Sequence, residues 1–430
     1  MALRVPCGEG FMESRRLDPS RVAWLEPMRG APVSPEEAFR EAASRPINAP
    51  RLGEERFRSA AIIVPDHTRP PSPLLASLLG ALSRVDELAV FVAGGTHSPP
   101  SLSQLRRMVG EELLEQHWFR FRHSCARTST FTHLGYTSRG TPVEVNRDLL
   151  NYELIISTLC VRPHYFAGWE GGAKAILPGC SSFKSIARNH SYAVGCPTAR
   201  ELIAEGNPVR EDMEEAASIL ARHVKLRALD FVVDVDGRLC AAFYGHHVAE
   251  HREAARLSRR LYVVEAEPVE LVIAVAEGGL GRSLFQALKA YHHASNIAWP
   301  RRGRARVVLV ATMEEGVGSE SFEREYSRYV GAPAEEVVRD LKERIEAGEF
   351  SEVFQKVARM AMDRERAELV VVAPKAPMSL RRFLERVEVP YYEELDEALE
   401  GFNGRAAVLP YGASVVPTTS SSMNTLSRSV

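Results

Sequence analysis

No Cys-x-x-Cys pair occurs among the six cysteines (positions 7, 125, 160, 180, 196 and 240), which argues against a zinc ribbon, a thioredoxin-type motif or a disulfide framework. Buried free thiols are the expectation that remains. No apolar run approaches the ~18–20 residues of a membrane span, and the longest, such as 271–276 (LVIAVA), have the length of a buried strand. The first residues also lack the charged stretch and apolar core of a secretory signal, so a cytosolic location is expected. Charge of one sign is missing too: 54 basic and 56 acidic residues are intermixed, the formal net charge is −2, and neither nucleic acid nor a membrane surface is implied as a partner. Local basic segments such as Arg301-Arg302-Gly303-Arg304 read as solvated turns. Finally, no Gly-x-Gly-x-x-Gly with an acid ~20 residues on follows a first strand, which ranks a nicotinamide-dependent dehydrogenase last.

What is present is a soluble globular balance, 45% apolar and 26% charged, over 430 residues. At ~100–200 residues per domain that length predicts two domains. Short apolar, β-branched runs at 60–64, 88–93 and 153–159 are each followed by a loop and a helix-like stretch. A second set begins at 269–276 and continues at 306–311, 368–373 and 406–409, with a helical pattern over 334–347. This βαβ rhythm predicts two α/β domains with a ligand cleft between them. The boundary is expected near Glu265-Ala266-Glu267-Pro268, giving 1–266 and 267–405, with 406–430 as a last strand and a Ser/Thr-rich frayed tail.

In such sheets ligands sit beyond the carboxyl ends of the strands, and the residues there are polar. Asp66-His67-Thr68-Arg69 follows the first run; Arg69 suits a carboxylate or phosphate and Asp66 an orienting role, although a structural Asp–Arg pair reads equally well. Gly94-Gly95-Thr96-His97 follows the second, with His97 a possible base and a surface-loop histidine the plainer reading. The segment 162–190 is the most specific. Gly168, Gly171, Gly172 and Gly179 surround Lys174 beside aromatic residues, which suggests a backbone laid against a planar ligand and an amine of lowered pKa. Ser181 or Ser182 would cap a helix ending near His190. Gln286 and Lys289 share one face of a helix, while His292 and His293 read as structural. No His/Cys/carboxylate cluster has zinc spacing, so a bound metal would need ligands from a cofactor.

Taken together, Asp66-x-Thr68-Arg69-Pro70, Gly95-Thr96-His97, the block from His164 through Lys174 to His190, and Gln286-x-x-Lys289 resemble the nickel-pincer lactate racemase family. The resemblance spans both domains. It implies a racemase or epimerase of a small 2-hydroxy acid that works by hydride transfer to and from a covalently attached nickel-pincer nucleotide, a pyridinium thioamide/thiocarboxylate mononucleotide. It further implies Lys174 as the tether, His190 as the nickel ligand, and His97 and His164 as the acid/base pair. Asp66, Arg69, Thr96, Gly171 and Gly172 are then the cofactor-binding candidates, and Arg69, Gln286 and Lys289 the substrate-binding ones. The cofactor's biosynthetic enzymes are the implied protein partners. The chain departs from the family pattern after Gly278-Gly279, where Leu-Gly-Arg-Ser stands, and at Phe285, where tyrosine is expected; Arg282 would add a cation near the cleft. A different class of function, a cofactor or nickel carrier without turnover, would leave His97 and His164 dispensable.

Overall fold

The computed structural model describes residues 2–300 and 304–420. It contains two six-stranded sheets with helices packed against them. The first runs in the order Leu239–Gly245, Lys225–Val233, Leu154–Ser157, Ser59–Pro65, Glu87–Gly95, Phe121–Cys125, parallel except for the antiparallel pair 225–233/239–245. The second is parallel throughout: Tyr391–Tyr392, Ala367–Val372, Ala305–Val310, Leu271–Val275, Ala406–Leu409, Val22–Trp24. The central strands read as apolar runs because both faces are covered; Ser59–Pro65 and Leu271–Val275 are buried along their whole length. The α/β class expected from the sequence is the class found.

Residues 22–24 were grouped by sequence with the first unit but lie at the edge of the second sheet, paired with Ala406–Val408. The antiparallel hairpin Leu3–Cys7/Gly10–Ser14 goes with them, placing Leu3, Val5 and Met12 in a core shared with Leu271, Ile273 and Val308. A three-residue edge strand carries too little pattern to reveal which sheet it joins. The chain then crosses to the first lobe along 25–33, close beside the return crossing: a Cβ on Gly30 would lie 2.3 Å from Cys240 Sγ and 3.5 Å from Leu261. At the return, Val263–Glu265 pairs in parallel with Val416–Thr418, so part of the expected tail is ordered strand. Residues 421–430, and 301–303 of the basic turn, lie outside the described residues. Four cysteines are buried, whereas Cys196 and Cys240 are partly exposed. Among the described residues, no helix is long and apolar enough to cross a membrane.

Each sheet has one switch point, where strand order reverses and a crevice opens at the carboxyl ends. In the first sheet it lies between Ser59–Pro65 and Leu154–Ser157, and in the second between Leu271–Val275 and Ala406–Leu409. The two crevices meet. A cavity of about 960 Å³ is lined by Thr68, Arg69 and Arg162 from one side and by Glu277, Gly278 and Ser414 from the other.

Candidate active site

Asp66, the first residue beyond strand Ser59–Pro65, is buried and fully engaged. Its Oδ1 accepts the Thr68 amide at 3.1 Å and the Thr68 hydroxyl at 2.7 Å, a local turn that short acidic side chains favour. Its Oδ2 meets His97 Nδ1 at 2.5 Å. Burial pushes this carboxyl up, but the His97 hydrogen bond and the His97 and Arg69 charges outweigh it and hold it well below the usual carboxylate range. Because Nδ1 is taken, the free nitrogen of His97 is Nε2. Thr96 precedes it, half-buried.

Arg69 turns from this loop to Glu170, its Nε lying 2.8 Å from Oε1. Arg162 Nε binds the other carboxylate oxygen at 2.6 Å, and Lys289 Nζ stands 4.0 Å from Oε1. Glu170 is thus the hub of three cations drawn from two lobes. Burial alone would raise its pKa; Arg162, Arg69, Lys289 and Lys174 drive it far below normal instead. The sequence reading missed Glu170, which sits inside the glycine segment that was read for its lysine. Its one signal was a carboxylate within an otherwise apolar and cationic stretch.

Lys174, His164 and His190 do not line the 960 Å³ cavity. His164 is buried, stacks on Tyr165 with centroids 5.1 Å apart and meets Phe166 edge-on at 4.6 Å. Its Nδ1 lies 3.3 Å from the Ala167 amide, which assigns Nδ1 as acceptor and leaves Nε2 as the outward nitrogen. Phe166 also meets the His190 ring at 4.9 Å and lies 5.9 Å below Lys174 Nζ, so one phenyl ring separates the three polar groups. Burial, then the charges of Lys174, Lys289 and Arg69, keep His164 neutral at ordinary pH. His190 is pushed down to about 3 by burial and Lys174, against an opposing pull from the Glu352 backbone, and its Nδ1 makes no hydrogen bond of ordinary geometry.

Lys174 stands on the short turn Gly172–Ala175, half-buried as a residue with its ammonium turned inward. Burial of its ammonium, with Arg69, Arg210 and Arg162 nearby, outweighs Glu170 and lowers its pKa well below that of an ordinary lysine. Such an amine spends more time unprotonated and nucleophilic. The turn is fixed from below. Asp230 accepts the Gly172 amide at 2.5 Å and the Leu159 amide at 2.9 Å, and buried Arg210 donates to the carbonyls of Ala167 (3.1 Å), Gly171 (3.2 Å) and Trp169. The glycines serve this packing: with φ of +81° and +58°, a Cβ on Gly171 would meet Asp230 Oδ2 at 2.8 Å, and one on Gly172 the His251 ring at 2.9 Å. Protein therefore occupies the faces that the sequence reading assigned to a planar ligand.

From the second lobe, helix Leu284–Ala294 brings Lys289 to Glu170 and leaves Gln286 half-buried one turn away. Arg282 is not a free cation in the cleft; it is exposed and paired with Glu314 at 3.1 Å and Glu315 at 3.0 Å. His292 and His293 are structural as expected, bonded through Nδ1 to Asp363 and to the Gly412 carbonyl, each at 2.8 Å. Lys356, buried against Tyr165 and Phe285, was not foreseen. Among the described residues no group of three or more His, Cys, Asp or Glu side chains is placed to hold a metal ion.

These features define a two-lobed α/β protein whose interlobe site is walled by buried cations and suited to a small anion. A lactate racemase N-terminal domain model matches residues 12–201. The lactate racemase of Thermoanaerobacterium thermosaccharolyticum is 30% identical over 303 residues, 68% of this chain and 69% of that protein. The lactate racemase of Lactiplantibacillus plantarum is 29% identical over 301 residues, 67% of this chain and 69% of that one. The solved lactate racemase apoprotein from the first organism superposes with a TM-score of 0.83 at 24% identity, covering 97% of this chain and 100% of its own. A Thermotoga maritima protein does so at 0.72 and 15%, over 91% and 100%. The chain belongs to the lactate racemase family.

Proposed function

We propose that this protein is a racemase or epimerase of 2-hydroxy acids that uses a nickel-pincer nucleotide attached through Lys174. The observation that carries the reading is the grouping, in a chain of this family, of an amine of lowered pKa, a metal-capable imidazole and a second histidine around the Phe166 ring. The residues fit the cofactor. Lys174 has the lowered pKa a covalent tether needs, and His190 offers a nitrogen without a competing hydrogen bond of ordinary geometry. When bound, the nickel-pincer nucleotide supplies a hydride acceptor and donor, which makes C2 of the substrate invertible without a carbanion.

The protein's own part is binding and proton handling. Arg69 takes the substrate carboxylate in its guanidinium fork, with Lys289 and Gln286 arriving from the other lobe. Neutral His164 accepts the hydroxyl proton at Nε2 for one enantiomer. His97, oriented by Asp66, does the same at its Nε2 for the other, and each returns the proton after inversion. Gly171 and Gly172 shape the turn that presents Lys174, and Thr96 positions His97. Buried rings on both sides of His164 exclude water from the reacting carbon.

The test is intact mass and nickel analysis of protein coexpressed with the cofactor's biosynthetic enzymes, followed by chiral assay over a panel of 2-hydroxy acids. Adduct, nickel and racemisation together support the reading. Unmodified Lys174 without nickel sinks it, and adduct and nickel without turnover of any acid leaves a carrier.

A further inference from the structure

One buried cation in this region has no role in the scheme above. Lys356 is 1% exposed, on the first turn of helix Phe354–Arg366. Its Nζ makes one hydrogen bond, to the Phe285 carbonyl at 2.6 Å, and rests on the rings of Phe285 (4.3 Å) and Tyr165 (4.7 Å). Among the described residues no carboxylate lies within ion-pair distance of it. A buried ammonium with two unused N–H groups and no counter-ion is costly, and such groups are normally paired. Burial and the Arg69 charge bring its pKa down to about 7, so an arriving anion would restore its full charge.

Its position says which anion. Tyr165, under the ammonium, stacks in turn on His164, and the helix bearing Lys356 packs on Phe183–Ser191, which bears His190. Lys356 therefore lies one ring away from His164, within reach of the Arg69 and Lys289 charges. Arg69 and Lys289 already suffice for one carboxylate. Phe285, the other ring against the ammonium, immediately precedes Gln286 on the substrate side. Resting on the racemase reading, we propose that Lys356 recognises a second carboxylate, and that the substrate is a 2-hydroxy dicarboxylic acid of the malate type rather than a simple monocarboxylate.

The experiment uses cofactor-loaded enzyme with the separate enantiomers of malate and lactate, in the wild type and in Lys356→Met and Lys356→Arg. The wild type is expected to favour malate, and Lys356→Met to lower the malate-to-lactate ratio of kcat/KM by about 10- to 100-fold, the size of a charge-assisted hydrogen bond, chiefly through KM. Lys356→Arg should recover part of that ratio. As a readout free of turnover, malate should raise the Tm of the wild-type apoprotein more than lactate or inorganic phosphate at equal concentration, with the difference lost in Lys356→Met. Efficient lactate racemisation with a ratio unmoved by Lys356→Met overturns the inference and leaves the racemase reading intact. A Tm rise as large with phosphate as with malate also overturns it. Loaded enzyme that turns over neither acid but racemises another member of the panel overturns the inference alone, and loaded enzyme that turns over no acid of the panel overturns both.

Discussion

Asp66 Oδ2 and His97 Nδ1 lie 2.5 Å apart, joining the carboxyl ends of two adjacent parallel strands on one side of the switch point. This pairing fixes which nitrogen of His97 is free and how its ring is turned. Asp66→Asn should keep the fold, because the amide oxygen can still accept from Thr68, but its N–H would face His97 Nδ1, making that nitrogen the acceptor and placing the ring proton on Nε2. A kcat loss inside the ~10²–10⁴-fold range of a general acid–base group is expected, with a displaced pH profile. Unchanged kinetics would remove His97 from the mechanism.

Glu170 carries the second prediction. Glu170→Gln leaves Arg69, Arg162 and Lys289 facing a neutral amide, and breaking such a buried cluster costs about 3–5 kcal/mol in denaturant unfolding. The sign with pH follows from the depressed folded pKa. The contribution is fully present above the unfolded glutamate value of about 4.3 and is lost as pH falls toward the lower folded value. The gap between wild type and Glu170→Gln should therefore be level from neutrality down to about pH 5 and narrow below about 4. A gap that widened in acid would mean Glu170 is not the anion that holds Arg69, Arg162 and Lys289 together.

Lys174 and His190 separate on mass and metal. Lys174→Arg keeps a cation but should abolish the adduct seen by intact mass. His190→Ala should keep the adduct and lose nickel. An adduct surviving in Lys174→Arg would move the tether elsewhere.

Gly172→Ala tests the turn. At φ +58°, with the His251 ring 2.9 Å from the new Cβ, a loss of ~1–3 kcal/mol is expected, together with slower cofactor attachment. Full stability with unaltered loading would show that the turn tolerates rearrangement.

The features legible in the sequence are those written in contiguous residues. Residues 60–64 and 307–310 are apolar because both faces are covered, and the polar residues just beyond the first run had to lie at its carboxyl end. Asp66, Arg69 and His97 were found that way. Glu170 and Lys356 were hidden because their meaning lies in partners far along the chain. A lysine on the first turn of a helix reads as solvated until Phe285 and Tyr165 close over it. The roles assigned to Lys174 and His190 came from family resemblance; the geometry adds the shared ring and the charges that set their protonation. The glycines were seen, but the atoms filling the space beside them, from Asp230 and His251, were not.

The strand Val22–Trp24 closes the second sheet against residues from near the other end of the chain. One lobe is thus an insertion within the other, and two adjoining crossings join them. A single tether would let the lobes swivel freely, whereas two side by side act like the paired pins of a door and leave opening and closing as the easy motion. The same wiring sets an order in time. During synthesis the edge strand made among the first residues stays unpaired until Ala406–Leu409 emerges, an exposed backbone edge that nascent-chain chaperones would be expected to shield.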